Sequence, residues 1–287
     1  PQTPGTSWAY SNFGFMLLST VATHASGGTL EALLQQTLFQ PLGMNHAYIR
    51  QMPTATVAAK GHTPGGREVP AWEFTDAMAG VGGVRASLDD MARYAAALLG
   101  RGDAGVVANL VQATTPLLTP VDGPAMAVGW PVLTVGANTI IAHNGGTGGF
   151  SSFIAVDKTR QRAVVVLADT SMASFGYINE LALHLLDPAL AAAPTPRLAA
   201  TPPATLLQQL VGRYRIDALD VELALEARNG TLYVVLPGSP DTALSYDNHG
   251  DFYPSDVDAL ITPVRQPDGS YNLQYTADGS FEAQRLP

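Results

Sequence analysis

Apolar residues recur at helical spacing from Phe13 to Ala25, at Phe13, Met16, Leu17, Val21 and Ala25. They predict a helix that Gly27-Gly28 ends. A second helix is predicted from Leu30 to Phe39, stopped by Pro41. A third runs from Ser87 to Leu99. Ser87 followed by Asp90 is a capping box, and Met91, Tyr94, Ala95 and Leu98 form the predicted buried face. Ala104 to Thr114 reads as a fourth helix. The period then changes. Ala127–Val135, Thr139–His143, Ser151–Val156 and Arg162–Ala168 read as strands, with a polar hairpin at Asp157–Gln161. Val164-Val165-Val166-Leu167 is a continuous apolar run, the pattern of a strand covered on both faces. Tyr177–Leu186 reads as a closing helix.

Residues 188–204 are rich in Ala and Pro, a linker composition. The region after them reads as all β. Val221 to Leu225 alternates, and Asn229-Gly230 separates it from Leu232-Tyr233-Val234-Val235, a type I′ hairpin signal. Asp268-Gly269 and Asp278-Gly279 repeat the device. Regular spacing of this kind predicts a small antiparallel barrel or meander. The predicted division is therefore 1–187, a linker 188–204, and a β domain 205–287.

Composition narrows the classes of function. In 287 residues the hydrophobic fraction is 46% and the charged fraction 14%, which excludes disorder and coiled coil. The net charge of −9 argues against a nucleic-acid partner. Residues 1–187 hold 9 basic and 12 acidic side chains, and residues 188–287 hold 6 and 12. The acidity of the second region reads as a solvated surface. With no cysteine, disulfides, thiol catalysis and Cys-ligated metals are ruled out. The six histidines form no short-spaced ligand set, so neither a metal nor a cofactor is expected. No apolar stretch has the length of a membrane span.

Two segments carry candidate chemistry. Tyr10-Ser11-Asn12 opens a helix behind the turn Pro4-Gly5-Thr6. Taken alone, Ser11 or Asn12 reads as the cap and Tyr10 as a packing staple. His143-Asn144-Gly145-Gly146-Thr147-Gly148-Gly149 joins two strands. It reads either as a glycine-rich hairpin or as a backbone edge open to a ligand or an extended acyl chain. Gly80-Val81-Gly82-Gly83 lacks the strand-to-helix context of a dinucleotide fingerprint and reads as a mobile loop. There is no Gly-x-Ser-x-Gly elbow.

In order, Pro4-Gly5-Thr6, Tyr10-Ser11-Asn12-Phe13-Gly14, Pro41-Leu42-Gly43-Met44, Ala79-Gly80-Val81-Gly82-Gly83 and His143–Ser151 resemble the serine β-lactamase and penicillin-binding-protein superfamily. The nearest branch is that of class C β-lactamases, D-Ala-D-Ala carboxypeptidases, D-aminopeptidases and esterases. The resemblance covers residues 1 to about 187. Leu210-Val211-Gly212-Arg213-Tyr214 is similar to the opening of the lipocalin-like barrel often appended to that branch. The implied architecture is α+β: an incomplete β-lactamase-like fold, an antiparallel sheet with helices, followed by a small all-β barrel.

The resemblance implies a serine hydrolase that cleaves a small-molecule amide or ester through an acyl-enzyme. Tyr10 would relay the proton and Asn12 would orient substrate. His143 would stand where the family commonly has Lys, tuning Tyr10 or meeting a substrate carboxylate. Gly146 would give one oxyanion-hole amide. Asn144, Gly145 and Thr147 would bind substrate. Histidine here points toward a D-aminopeptidase, carboxypeptidase or esterase rather than a β-lactamase. Family members are often periplasmic or secreted.

One departure is large. The family nucleophile lies in Ser-x-x-Lys upstream of the tyrosine motif. Three residues before Lys60 and Lys158 stand Val57 and Ala155. The expectation is a C-terminal portion of a larger hydrolase, inert alone, its nucleophile and lysine on a missing N-terminal polypeptide. That polypeptide, or a second copy, would pair with the strand Arg162–Ala168 and cover its edge. The alternative is a non-catalytic ligand-binding or regulatory module. Ser7, Ser11 or Ser151 as substitute nucleophile has no neighbouring lysine to support it.

Overall fold

A computed structural model describes residues 3, 5–120, 123–172, 176–277 and 279–287. Pro4 of the first turn and Asp278 of the last predicted hairpin lie outside the described residues. Helix α1 spans Asn12–Ser26 and ends at Gly27, which takes φ 69°. Next come α2 (Leu30–Leu34), a π-helical turn (Gln35–Phe39) and α3 (Gln40–Leu42). Pro41 therefore does not stop this segment. The wider turn bonds Gln40 N–H to the Gln35 carbonyl, five residues back, and makes room for the ring that an α-turn would exclude. Gly43, at φ 68°, ends it instead.

The hairpin of β1 (Gly61–His62) and β2 (Glu68–Val69) follows, then a 3₁₀ turn at Ala79–Val81. That glycine-rich turn is packed rather than loose. Ala79 is buried, and a Cβ on Gly80 would fall 1.6 Å from Ser19 Oγ. Helix α4 (Leu88–Leu98) carries the capping box, and α5 (Ala104–Ala113) is capped by Asp103.

One antiparallel sheet holds β3 (Ala125–Met126), β4 (Pro131–Val135), β5 (Asn138–Thr147), β6 (Phe150–Asp157) and β7 (Arg162–Ala168), in that order. The single strand expected over Ala127–Val135 is broken, because Gly129 turns the chain at φ 75°. Alternate residues serve opposite faces. Ile141, Ile154, Val156 and Val132 pack on Ala95 and Leu98 of α4. Ile140, Ala142, Phe153 and Ala155 pack on Ile178, Ala182 and Leu186 of α6 (Tyr177–Leu186). Both faces of the sheet are thus covered by helices. β7 is the last strand of this sheet, so among the described residues its outer edge has no strand partner, and Leu167 stays 42% exposed.

The apolar repeat of α1 does not form core. Phe13, Leu17 and Val21 are exposed, and Ser19 is the buried residue of the helix. The helix packs by its Phe15–Ser19 side on the Ala79–Val81 turn, and the side bearing Phe13, Leu17 and Val21 stays open. Among the described residues, no helix is long and apolar enough to cross a membrane.

The Ala/Pro-rich segment is tied down. Arg197 pairs with the buried Asp247 and Asp251, and Ala200 N–H donates to the Tyr246 carbonyl at 2.9 Å. Helix α7 (Ala204–Leu210) then interrupts what reads as all β, and lays Leu207 and Leu210 into the barrel core. The barrel is closed and antiparallel, formed by β8 (Gly212–Ile216), β9 (Val221–Arg228), β10 (Thr231–Val235), β11 (Thr242–Tyr246), β12 (Phe252–Pro254), β13 (Leu260–Arg265), β14 (Tyr271–Thr276) and β15 (Ser280–Arg285). Closure leaves no strand edge to protect. Tyr214, Leu225, Leu232, Phe252 and Leu273 fill its interior. Asn229 and Gly230 both take positive φ, as a type I′ turn requires. Asp268-Gly269 differs: only Gly269 is positive, and Gln266 N–H bonds the Ser270 carbonyl in a longer turn.

Candidate active site

The N-terminal segment is anchored on either side of Tyr10. Trp8 Nε1 donates to the Pro124 carbonyl at 3.2 Å. Phe15 lies so close to Gly129 that a Cβ there would meet its ring at 2.9 Å. Between them Ser11 is the cap, extended at φ −149°, and its side chain accepts from Gly14 N–H at 3.0 Å. Asn12 is the first residue of α1. Tyr10 is no staple: its side chain is 65% exposed.

Strand β5 supplies the other wall. It pairs with β6 along its whole length, from Ile140 opposite Asp157 to Thr147 opposite Phe150. Its pairing with β4 ends at Ile141. From Ala142 to Thr147 no strand among the described residues pairs with this edge, as an extended ligand requires. Asn144 and Gly146 are exposed on this stretch, and His143, Gly145 and Thr147 are half-buried. The strand continues through Gly145-Gly146, so the connecting turn is confined to Gly148-Gly149. The glycines have steric causes. A Cβ on Gly145 would lie 2.6 Å from Ser152 Oγ, and one on Gly148 would lie 2.4 Å from the Trp72 ring.

The structure brings Tyr10 and His143 together, with ring centroids 6.4 Å apart and planes inclined at 41°. Trp130 meets the same imidazole edge-on, at 6.3 Å and 87°. His143 Nδ1 lies 2.5 Å from the Asn144 carbonyl oxygen. A carbonyl only accepts, so Nδ1 carries the proton, and in the neutral ring Nε2 is left as an acceptor. Gly146 follows three positions along the strand, and Thr147 Cγ2 lies within 3.8 Å of where a Gly82 Cβ would stand.

No lysine joins these groups. Lys60 Nζ is bonded to Glu68 at 2.9 Å, and Lys158, its ammonium held below its usual pKa by burial, bonds Thr114 at the end of α5. Ser11 Oγ serves as cap, and the buried Ser151 Oγ accepts from Met172 N–H at 2.8 Å. Both hydroxyls thus have structural work in α1 and β6. Trp130, Trp72 and the β1–β2 hairpin escaped the sequence reading. Gly129-Trp130-Pro131 held the one available signal, an aromatic residue set in a turn.

A helix-covered antiparallel sheet with a glycine-rich open strand, a tyrosine at a helix start beside it and an appended barrel define a β-lactamase-like fold. A family model described as Beta-lactamase matches residues 1–186, and the chain belongs to that family. It is 29% identical over 212 residues to the unguisins hydrolase ungD' of Aspergillus campestris, covering 68% of this chain and 39% of that protein. It is 38% identical over 96 residues to a D-aminopeptidase of Gluconobacter oxydans, covering 31% of this chain and 17% of that protein. The chain thus spans well under half the length of these relatives. Among solved structures, the octameric penicillin-binding protein homologue from Pyrococcus abyssi superposes with a TM-score of 0.56 at 18% identity, covering 99% of this chain and 66% of that chain. At that identity the likeness speaks for the fold.

Proposed function

We propose that these residues form the C-terminal portion of a serine hydrolase that opens an amide or ester bond through an acyl-enzyme. The nucleophilic serine and its lysine come from a Ser-x-x-Lys segment outside the 287 residues. The juxtaposition of Tyr10 and His143 beside the open edge of β5 carries this reading. Tyr10 passes the serine's proton to the leaving group, and His143 Nε2 accepts from the phenol. Asn12 orients the substrate amide. The Gly146 amide polarises the carbonyl, and Asn144, Gly145 and Thr147 line the acyl chain.

Two unfilled surfaces support a further segment. One is the apolar side of α1, at Phe13, Leu17, Leu18 and Val21, and the other is the outer edge of β7. An apolar groove lined by Phe15, Leu18, Leu30, Leu34 and Val84 lies between α1 and the glycine turn. A D-amino-acid amide, peptide or ester is the preferred substrate class, because His143 replaces the lysine of the β-lactamase pattern. The barrel is read as lipocalin-like, and the complete protein as periplasmic or secreted.

The test is to label the complete gene product with a fluorophosphonate probe and map the adduct by mass spectrometry. The reading requires the adduct on a Ser-x-x-Lys serine outside these residues. An adduct on a serine within them, or none, overturns it. Absence of any adduct favours the second reading, a non-catalytic ligand-binding module, for which the lack of Ser-x-x-Lys in these residues speaks.

A further inference from the structure

Two tight backbone contacts, one at each end of a single hairpin, connect the barrel to the turn that ends β5. At the near end Gly61 meets Gly149. A Cβ on Gly61 would fall 2.9 Å from the Gly149 Cα and 2.8 Å from the Phe150 ring. A Cβ on Gly149 would fall 2.5 Å from the Gly61 Cα. His62 N–H donates to the Gly149 carbonyl at 3.1 Å and to the Asp169 carbonyl at 2.9 Å. Ser171 Oγ accepts from Gly149 N–H at 2.9 Å and donates to the Thr147 carbonyl at 3.3 Å. The carbonyl, amide and Cα of this turn are each held.

At the far end the hairpin tip meets the barrel. Gly65 N–H donates to the Ser255 carbonyl at 3.1 Å, and a Cβ on Gly65 would fall 2.7 Å from Ser255 Cβ. Arg67 Nε also reaches Asp256 at 3.0 Å, but those side chains are 58% and 65% exposed. So open an ion pair contributes little beside the Gly65 contact. Gly61 and Gly65 are four residues apart, at most about 14 Å of chain. A short paired hairpin of this length transmits a displacement that a flexible linker would absorb.

We propose that the barrel is a positioning element for the candidate active site, with Gly65 and Ser255 as its positioning residues. Their contact fixes the β1–β2 hairpin. The Gly61–Gly149 contact passes that constraint to the Thr147–Phe150 turn, and so to the strand bearing His143 and Gly146. The inference deepens the hydrolase reading by giving the barrel a part in it. Gly65 and Ser255 touch no substrate.

Amide hydrogen exchange on the 287-residue chain tests it, comparing the unmodified protein with Gly65→Val and Ser255→Tyr. Ser255 is exposed, so tyrosine there does not load the barrel core and the test stands even where Gly65→Val misfolds. Both variants are expected to speed exchange of the His62 and Gly149 amides by about tenfold, and Ser255→Tyr that of the Gly65 amide as well, with the barrel strands unchanged. Faster exchange at Gly65 with His62 and Gly149 unaltered overturns the proposal. Unaltered exchange at all three sites overturns it too, since the Gly65–Ser255 contact then docks nothing. No substrate is involved, so failure of this coupling and failure of the probe to label are separate results.

Discussion

The rings of Tyr10 and His143 stand 6.4 Å apart at a 41° tilt, although 132 positions separate them in the chain. Neither neighbour of Tyr10 explains its exposure. Ser11 caps α1, and a packing tyrosine would be covered, yet this one is 65% open. An exposed phenol beside an imidazole is what the proposed proton relay needs. In the complete protein, Tyr10→Phe is therefore expected to slow acylation by roughly 10²–10⁴-fold, the usual weight of a general acid–base group. Stopped-flow acylation kinetics measure it, and an unchanged rate removes Tyr10 from the mechanism.

His143 gives the companion prediction. Its Nδ1 is committed to the Asn144 carbonyl, so its neutral form offers Nε2 as acceptor. His143→Ala removes that acceptor and is expected to slow acylation in the complete protein by roughly 10²-fold. Stopped-flow acylation kinetics measure it, and an unchanged rate leaves His143 a strand residue.

The features that were legible in the sequence were the locally encoded ones. Ser87 and Asp90 fix the start of α4 within one turn, and Asn229-Gly230 fixes its hairpin within two residues. The run Arg162–Ala168 is β7 with those same bounds. The failures came from longer range. Pro41 is accommodated by a π turn, whose hydrogen bonds the apolar spacing does not report. The repeat of α1 is real, but burial depends on a partner surface, and Phe13, Leu17 and Val21 have none among the described residues. Helix α7 is only seven residues long, and Leu207 and Leu210 are helical because the barrel core receives them. Tyr10 and His143 stood out by residue type, whereas Trp130 reaches the imidazole only through the turn at Gly129.

Tyr94 offers a test of the packing. It lies where the α4–α5 contacts meet the sheet core, and burial raises its phenol from the ordinary 10.0 to about 12. A raised acid stays protonated in the fold after the unfolded chain has ionised. The stabilisation is thus complete below pH 10 and is lost as pH climbs from about 10 to about 12. Over that window the loss amounts to roughly 2–3 kcal/mol. Urea unfolding at pH 9 to 12 is expected to register it, and Tyr94→Phe, which keeps the ring, to flatten the slope. An equal slope in both proteins places the alkaline sensitivity elsewhere.

The outer edge of β7 makes the last prediction. A strand edge with unbonded amides pairs with other chains unless charge, proline or a cover prevents it. Between Ala163 and Ala168 there is no charged residue and no proline, and Leu167 is 42% exposed. The strand on its inner side, β6, is bonded to it along all seven residues, so the edge is held straight and available. The 30.1 kDa chain is accordingly expected to self-associate as its concentration rises. Leu167→Lys places a charge on that edge while leaving Val164 and Val166 in the core facing α6, so the variant should remain folded and scatter light as a smaller species. Equal masses for the two proteins across the concentration range would mean that β7 is not where copies of this chain meet.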